Sequence, residues 1–117
     1  MRTSTSVSLV ILLFLWLGQV TPVRAAFKDG NDLHNACQQT QEGIEGLYCM
    51  GYIVAIADVL ESGSSINGFR ACLRQNMRAG QVVDVVKRWL QDHPQDRDYG
   101  APGLVAAALQ EAFPCPK

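Results

Sequence analysis

The four cysteines are the residues of this chain whose type and spacing best suit a chemical role. They are Cys37, Cys49, Cys72 and Cys115. No two of them are spaced C-x-x-C, which argues against a thioredoxin-like redox centre. Neither His34 nor His93 stands at zinc-type spacing from a cysteine, so a metal site is not favoured either. In a short exported chain, an even number of cysteines indicates two structural disulfides.

Other catalytic side chains are not arranged in a recognisable motif. Ser62, Ser64 and Ser65 lie in a polar stretch without a placed histidine, so a serine nucleophile is not indicated. Asp58 stands inside an apolar run, and no recognisable motif places a second carboxylate or histidine with it. Two interpretations of Asp58 stay open: a solvated or cap-bonding carboxylate, or a buried ion pair, for which Arg97 is a candidate partner. The sequence therefore indicates no enzyme, no cofactor and no metal site.

The first residues have the order of a secretory signal peptide. Arg2 precedes the uncharged run Leu9–Leu17, and small residues follow in "VRAAFKDG". Val23 and Ala25 suit the −3 and −1 positions, which predicts cleavage after Ala25, with Ala26 as the second choice. An uncleaved membrane anchor is the alternative, but the apolar run is well short of the roughly 20 residues that a span needs.

Cleavage at this point divides the chain into a signal peptide, residues 1–25, and a mature domain, residues 26–117. The mature part has the length of a single domain. Without Arg2 and Arg24 it carries 8 basic and 11 acidic residues. There is no basic stripe, so nucleic acid is not a favoured partner.

The mature part has the hydrophobic periodicity of helices separated by turns. Helices are predicted at about Asp29–Gln41, Leu47–Glu61 and Ala101–Phe113, with a further one around the apolar stripe Val82–Leu90 that ends at His93-Pro94. Gly43 and Gly46 are expected to separate the first two helices. "SGSSINGF" is expected to form a flexible turn after the second helix. The predicted fold is all-α, a small disulfide-stapled bundle of about four main helices.

Helix order suggests how the cysteines pair. If consecutive helices pack antiparallel, Cys37 and Cys49 lie at the same end of the first hairpin. By the same reasoning, Cys115 comes near Cys72. A Cys49–Cys72 bridge is disfavoured because a helix of about 12 residues separates its ends by roughly 18 Å, whereas disulfide Cα atoms lie within about 7 Å. We expect the pairs Cys37–Cys49 and Cys72–Cys115.

Several ordered motifs resemble the Rap/Tai family of immunity proteins. "CMGYIVAIAD" is similar to that family's C-x-G-Y-I-x-G-x-x-D, and "FKDGNDLHNAC" to its G-N-x-L-x-x-x-C. "GQVVDVVKRWL" resembles G-Q-x-x-D-V-V-x-x-(Y/W)-L, and "ALQEAFPC" resembles A-L-x-x-A-F-P-C. The sequence departs from the pattern at Ala55, where glycine is usual, and in "CLRQNMRAGQ". There Arg74 replaces a proline and Arg78 replaces the threonine that would cap the third helix.

The resemblance implies a small, helical, disulfide-bonded periplasmic protein without catalytic residues. Members of this family bind and inhibit peptidoglycan amidases delivered by type VI secretion, which protects the cell from siblings or from itself. They commonly form homodimers, and a protruding segment blocks the amidase cleft. The cognate amidase is then the expected partner, with no stable membrane association after signal cleavage. The alternative functions are a small periplasmic chaperone or general binding module, and a small enzyme.

The sequence also predicts two interaction surfaces. Consecutive alanines, Ala106 to Ala108, suggest a homodimer contact through the last helix. The stretch "QDHPQDRDYG" is stiffened by Pro94 and is rich in charge, so its side chains are the predicted toxin-binding residues: Asp96, Asp98 and Tyr99. The alternative site is the preceding turn, with Ser64, Ser65, Ile66 and Asn67. Within the charged stretch, Arg97 is expected to pair internally and His93 to be a solvated helix-end residue.

Overall fold

The computed structural model describes residues 27–40 and 42–117. Its four α-helices are α1 (Gly30–Gln38), α2 (Ile44–Glu61), α3 (Ala79–Asp92) and α4 (Ala101–Ala112), and a 3₁₀-helix spans Pro94–Asp96. The part of the chain that the structure describes contains no β-strand, only isolated bridges. The predicted all-α fold is confirmed. The predicted signal peptide and its cleavage site lie outside the described residues.

Helix α1 begins one residue later than predicted because Asp29 caps it. The Asp29 carboxylate accepts a hydrogen bond from the Asp32 amide at 2.9 Å, and the Asp32 carboxylate accepts one from the Asp29 amide at 3.3 Å. This reciprocal pair satisfies two backbone donors that a helix start otherwise leaves free. The helix ends at Gln38, three residues before the predicted end at Gln41.

Helix α2 begins at Ile44, three residues before the predicted start. Gly43 precedes the helix as its N-cap, as expected of a separating residue. Gly46, however, lies inside the helix and is buried, so the prediction that it breaks the helix was wrong. It lines the same small cavity as Cys37 and Cys49. Burial of Gly46 beside this disulfide therefore outweighs the low helix propensity of glycine.

The start of α3 shows how the chain replaces a missing capping side chain. Arg78 occupies the N-cap position, and Gln81 supplies the capping contact instead. The Gln81 side-chain oxygen accepts a hydrogen bond from the Arg78 amide at 3.0 Å. This is the half of a capping box in which the N3 residue reaches back to the N-cap.

Both disulfides have the predicted pairing. Cys37–Cys49 joins α1 to α2 with a Cα–Cα distance of 5.1 Å, and Cys72–Cys115 joins the segment before α3 to the chain end with 4.9 Å. Cys37 and Cys49 are buried, whereas Cys72 is exposed. Over the described ranges, no helix has the length and apolar character that a membrane span requires.

The core contains apolar side chains from all four helices. Its fully buried large members are Leu33, Ile53, Leu60, Val83, Val86, Leu90, Val105 and Leu109. Ala106 and Ala108 are also completely buried, and only Ala107 is half-buried. The prediction that these alanines form a dimer surface was therefore wrong: their small side chains let α4 pack closely inside one chain.

Candidate functional site

The two segments predicted as alternative binding sites lie together, on either side of one groove. The groove has a volume of about 440 Å³. Its lining residues are Asn67, Phe69, Trp89, Asp96, Tyr99, Gly100, Gly103, Leu104 and Ala107. Tyr99 is 67% exposed at this edge. Of the alternative set, Asn67 lines the groove, Ile66 is half-buried, and Ser64 and Ser65 are exposed nearby in the chain.

The turn at residues 62–70 is a tight hairpin. Ile66 and Phe69 exchange backbone hydrogen bonds of 3.1 and 2.9 Å, and the two residues between them, Asn67 and Gly68, have φ values of 52° and 82°. Positive φ at both central positions is typical of a type I′ turn, which Asn-Gly strongly favours. The Arg70 amide also donates to the side chain of Gln110 on α4 at 2.9 Å. The stretch predicted to be flexible is therefore ordered by its own turn and by α4.

The opposite segment, residues 93–100, is held by the first turn of α1. The Gly30 and Asn31 amides donate to the carbonyls of Tyr99 and Arg97 at 3.0 and 3.1 Å. The Asn31 side-chain amide donates to Asp98 at 3.1 Å. The Ala101 amide in turn donates to the Lys28 carbonyl at 3.0 Å. The Gly30 and Asn31 amides are donors that α1 would otherwise leave unpaired at its start, and the Ala101 amide is such a donor of α4.

Arg97 turns inward and holds the same segment to the end of α3. Its Nε donates to the Leu90 carbonyl at 2.6 Å and its Nη2 donates to the Gln91 carbonyl at 3.2 Å. A guanidinium is well suited to the unpaired carbonyls and negative dipole end of a helix C-terminus. Asp58 lies elsewhere, exposed on α2, so it is not the buried partner that the ion-pair interpretation required.

Two histidines lie close to this segment in different environments. The buried Nδ1 of His34 has no hydrogen-bond partner within the described part of the chain. Burial lowers the pKa of His34, and the positive charge of Arg97 lowers it further. His93 is half-buried rather than solvated, because its ring stacks on Trp89 with a 4.0 Å centroid distance. The indole N–H of Trp89 donates to Glu111 at 2.9 Å, which fixes the wall of the groove.

The arrangement is suited to binding. Within residues 27–40 and 42–117, no group of three or more histidine, cysteine or acidic side chains is placed to hold a metal ion, and no cysteine is free. The surface instead presents an exposed tyrosine with carboxylates on an ordered segment, next to an apolar groove. Aromatic side chains surrounded by polar groups are common anchors of protein interfaces.

The sequence matches the family model described as Rap1a immunity proteins over residues 29–115. The chain belongs to the Rap1a immunity protein family. The matched region includes both disulfides and both segments that border the groove. A comparison with curated proteins gave no significant match.

Sequence reasoning missed several residues that line this groove or hold the segments beside it. Phe69, Trp89 and Gly103 line the groove, but Trp89 was placed in an apolar helical stripe whose other members are mostly core. Gly30 and Asn31 hold the predicted binding segment although they lie more than sixty positions away in the chain. The adjacent Gly-Asn pair at a helix start was the only local signal. Its contacts depend on tertiary packing.

Proposed function

We propose that this protein binds and inhibits a peptidoglycan amidase delivered by type VI secretion, and so protects the cell from self or sibling intoxication. The observation that carries the proposal is Tyr99, exposed directly after Asp98 on a segment anchored at both ends. Family membership supports an immunity role. Inhibition would occur by docking over the amidase cleft and would require no catalytic group in this chain.

Because residues 96–99 are anchored, they form a better contact surface than an unordered loop would. Ordering backbone upon binding costs about 1–2 kcal/mol per residue. The bonds from α1 and from Arg97 meet that cost during folding, so the tyrosine and the carboxylates are already in position. The groove beside Tyr99 offers apolar surface to the same partner, and the turn at Asn67 forms its other edge.

The proposed place of action is the periplasm. Both disulfides suit an oxidising compartment, and residues 1–25 have the sequence pattern of a cleavable signal peptide. The mature protein would then be the single domain 26–117, without stable membrane association.

A homodimer through α2 is part of this proposal. Ile44, Leu47 and Val59 are 86%, 57% and 45% exposed on one face of the helix. The small residues Gly51 and Ala55 are exposed between them at helical spacing. Exposed apolar residues on one helix face are typical of an interaction surface, and small residues allow two copies of a helix to approach closely. Light scattering should find a dimer at tens of micromolar, and Leu47→Glu should give a monomer.

The same apolar face is the observation that favours the second candidate, a small periplasmic chaperone or general binding module. Such a protein should suppress aggregation of unrelated unfolded proteins, and Leu47→Glu should weaken that activity. An immunity protein should instead bind one native amidase through the candidate site at residues 96–99. Aggregation assays with a model client therefore distinguish the two functions.

The direct test uses the cognate amidase that the proposal requires, sought among the type VI effectors of the same genome. The amidase should be produced in the periplasm of a sensitive bacterium, with and without this protein. Survival with the protein, together with a purified complex lacking hydrolase activity on peptidoglycan, is the expected result. Lysis at the same rate in both strains would contradict the proposed function.

A further inference from the structure

The segment 97–100 lies between two oppositely polarised helix ends. The start of α1 supplies two amide donors, which bond the carbonyls of Arg97 and Tyr99. The end of α3 supplies two carbonyl acceptors, which receive the guanidinium of Arg97. Each helix end thus satisfies its unpaired backbone groups with this segment. The backbone on both sides of the Tyr99 side chain is fixed by hydrogen bonds to Lys28, Gly30 and Asn31, which are distant in sequence.

Gly30 allows the segment to come this close. A Cβ atom at position 30 would stand 2.8 Å from both the Cα and the carbonyl oxygen of Arg97, and it would overlap the Leu104 Cδ1 atom. Backbone atoms cannot rotate away as a flexible side chain can. Any larger residue at position 30 must therefore displace the Arg97 backbone, and with it the bonds to Tyr99 and Asp98.

We infer that Gly30 is a positioning residue for toxin recognition, because it sets the place of Tyr99 and Asp98 by letting residues 97–100 pack on the first turn of α1. The inference rests on the proposed function, in which this segment contacts the amidase. Gly30 touches no partner itself. Its role is to keep the binding segment in the position required before the partner arrives, which preserves the advantage of preorganisation.

Gly80 offers a matched control. It also lies in the first turn of a helix, α3, and a Cβ atom there would meet nothing within 4 Å. Gly30→Ala and Gly80→Ala thus make the same chemical change at similar helical positions. Only the first should displace the binding segment.

The experiment combines a direct measure of segment order with a binding measurement. Full-length mature protein labelled with 3-fluorotyrosine has three tyrosines, and Tyr99→Phe assigns the Tyr99 signal. In Gly30→Ala, the fluorine signal of Tyr99 should shift or broaden, and the Asn31 and Ala101 amides should exchange faster with solvent. Titration with the amidase that the wild-type protein inhibits should show affinity weakened by about tenfold or more. Gly80→Ala should match the wild type in all three readings.

The outcomes separate this inference from the proposed function. An unchanged Tyr99 signal and unchanged amide exchange in Gly30→Ala would overturn the positioning role. Faster exchange with unchanged affinity would also overturn it, because segment order would then not matter for binding. If the wild type does not bind the amidase, the proposed function fails, and with it the role in recognition.

A second variant covers the case in which Gly30→Ala does not fold. Asn31 is exposed, and its side chain donates to Asp98, so Asn31→Ala removes one anchor without crowding the backbone. A shifted Tyr99 signal and a severalfold weaker affinity are expected. Wild-type behaviour in both readings would overturn the claim that α1 positions the segment.

Discussion

The two segments that border the groove are ordered by different kinds of contact. The turn at residues 62–70 is closed by backbone bonds between Ile66 and Phe69, three positions apart, and by one bond to Gln110. The segment 93–100 is anchored by α1 and by the carbonyls that end α3. One segment owes its shape chiefly to its own sequence, and the other to the packing of the whole domain. Damage to the fold should therefore affect them differently.

The largest expected effect comes from removing the disulfide that follows the turn. Cys72→Ser with Cys115→Ser opens a cross-link over a sequence separation of 43 residues. Loss of such a link should lower the free energy of unfolding by about 4 kcal/mol. Denaturant titration measures the loss. Amide exchange should rise more in residues 62–72 than in residues 97–101, and an equal rise would remove the distinction between the segments.

Removing the Arg97 guanidinium should have the next largest effect, and it should act on the other segment. Arg97→Met keeps the aliphatic stem but leaves the Leu90 and Gln91 carbonyls without their charged donor. Hydrogen bonds to charged groups contribute about 1.5–3 kcal/mol, so a loss of that size is expected. Arg88→Met, at an exposed site on α3, is the control. Equal melting temperatures for the two variants would argue against the anchoring role.

A smaller loss is expected at Asn67. Its φ of 52° lies in the left-handed region, where an ordinary side chain costs about 1–2 kcal/mol relative to glycine. Asn67→Ala should destabilise the protein by about 1 kcal/mol, whereas Asn67→Gly should preserve the turn. Exchange of the Phe69 amide reports the effect locally. A shift of the Tyr99 fluorine signal in Asn67→Ala would show that the two segments are coupled across the groove.

Lowering the pH should have the smallest effect on stability. It should act through His34, whose pKa is influenced by Arg97. Burial, and then the charge of Arg97, lower the pKa of His34 below its ordinary value of 6.5. The unfolded chain therefore binds the proton at a higher pH than the folded chain does. The stability that neutral His34 contributes is complete above about pH 6.5, and it is lost as the pH falls through the lowered pKa of the folded state. His34→Gln should show a flatter melting temperature between pH 7 and pH 5, and an unchanged slope would exclude His34 as the cause.

The same contrast explains what could be predicted from sequence. Helix number and disulfide pairing followed from apolar spacing and from the order of antiparallel helices. The Asn-Gly pair contains enough local information to predict a tight turn, although the surrounding serines suggested flexibility. Gly46 was misjudged because its propensity was weighed without the packing around Cys37 and Cys49.

Contacts between distant residues could not be predicted in the same way. The anchoring of residues 97–100 by Gly30 depends on how α1 meets α4, which no local pattern specifies. The burial of Ala106 and Ala108 could not be predicted either, since an alanine run suits a core contact and a surface contact equally well.

The central claim is that residues 96–99 form the contact with the amidase, and one variant tests it most directly. Alanine at Asp96, Asp98 and Tyr99 removes the exposed tyrosine and both carboxylates while the backbone anchors remain. Ser64→Ala with Ser65→Ala, on the exposed part of the other segment, is the comparison variant. Survival of cells that produce the cognate amidase should fall sharply with the triple variant, whose melting temperature should stay near that of the wild type. Full protection by the triple variant would contradict the claim, and loss of protection with the serine pair would move the contact to the turn at residues 62–70.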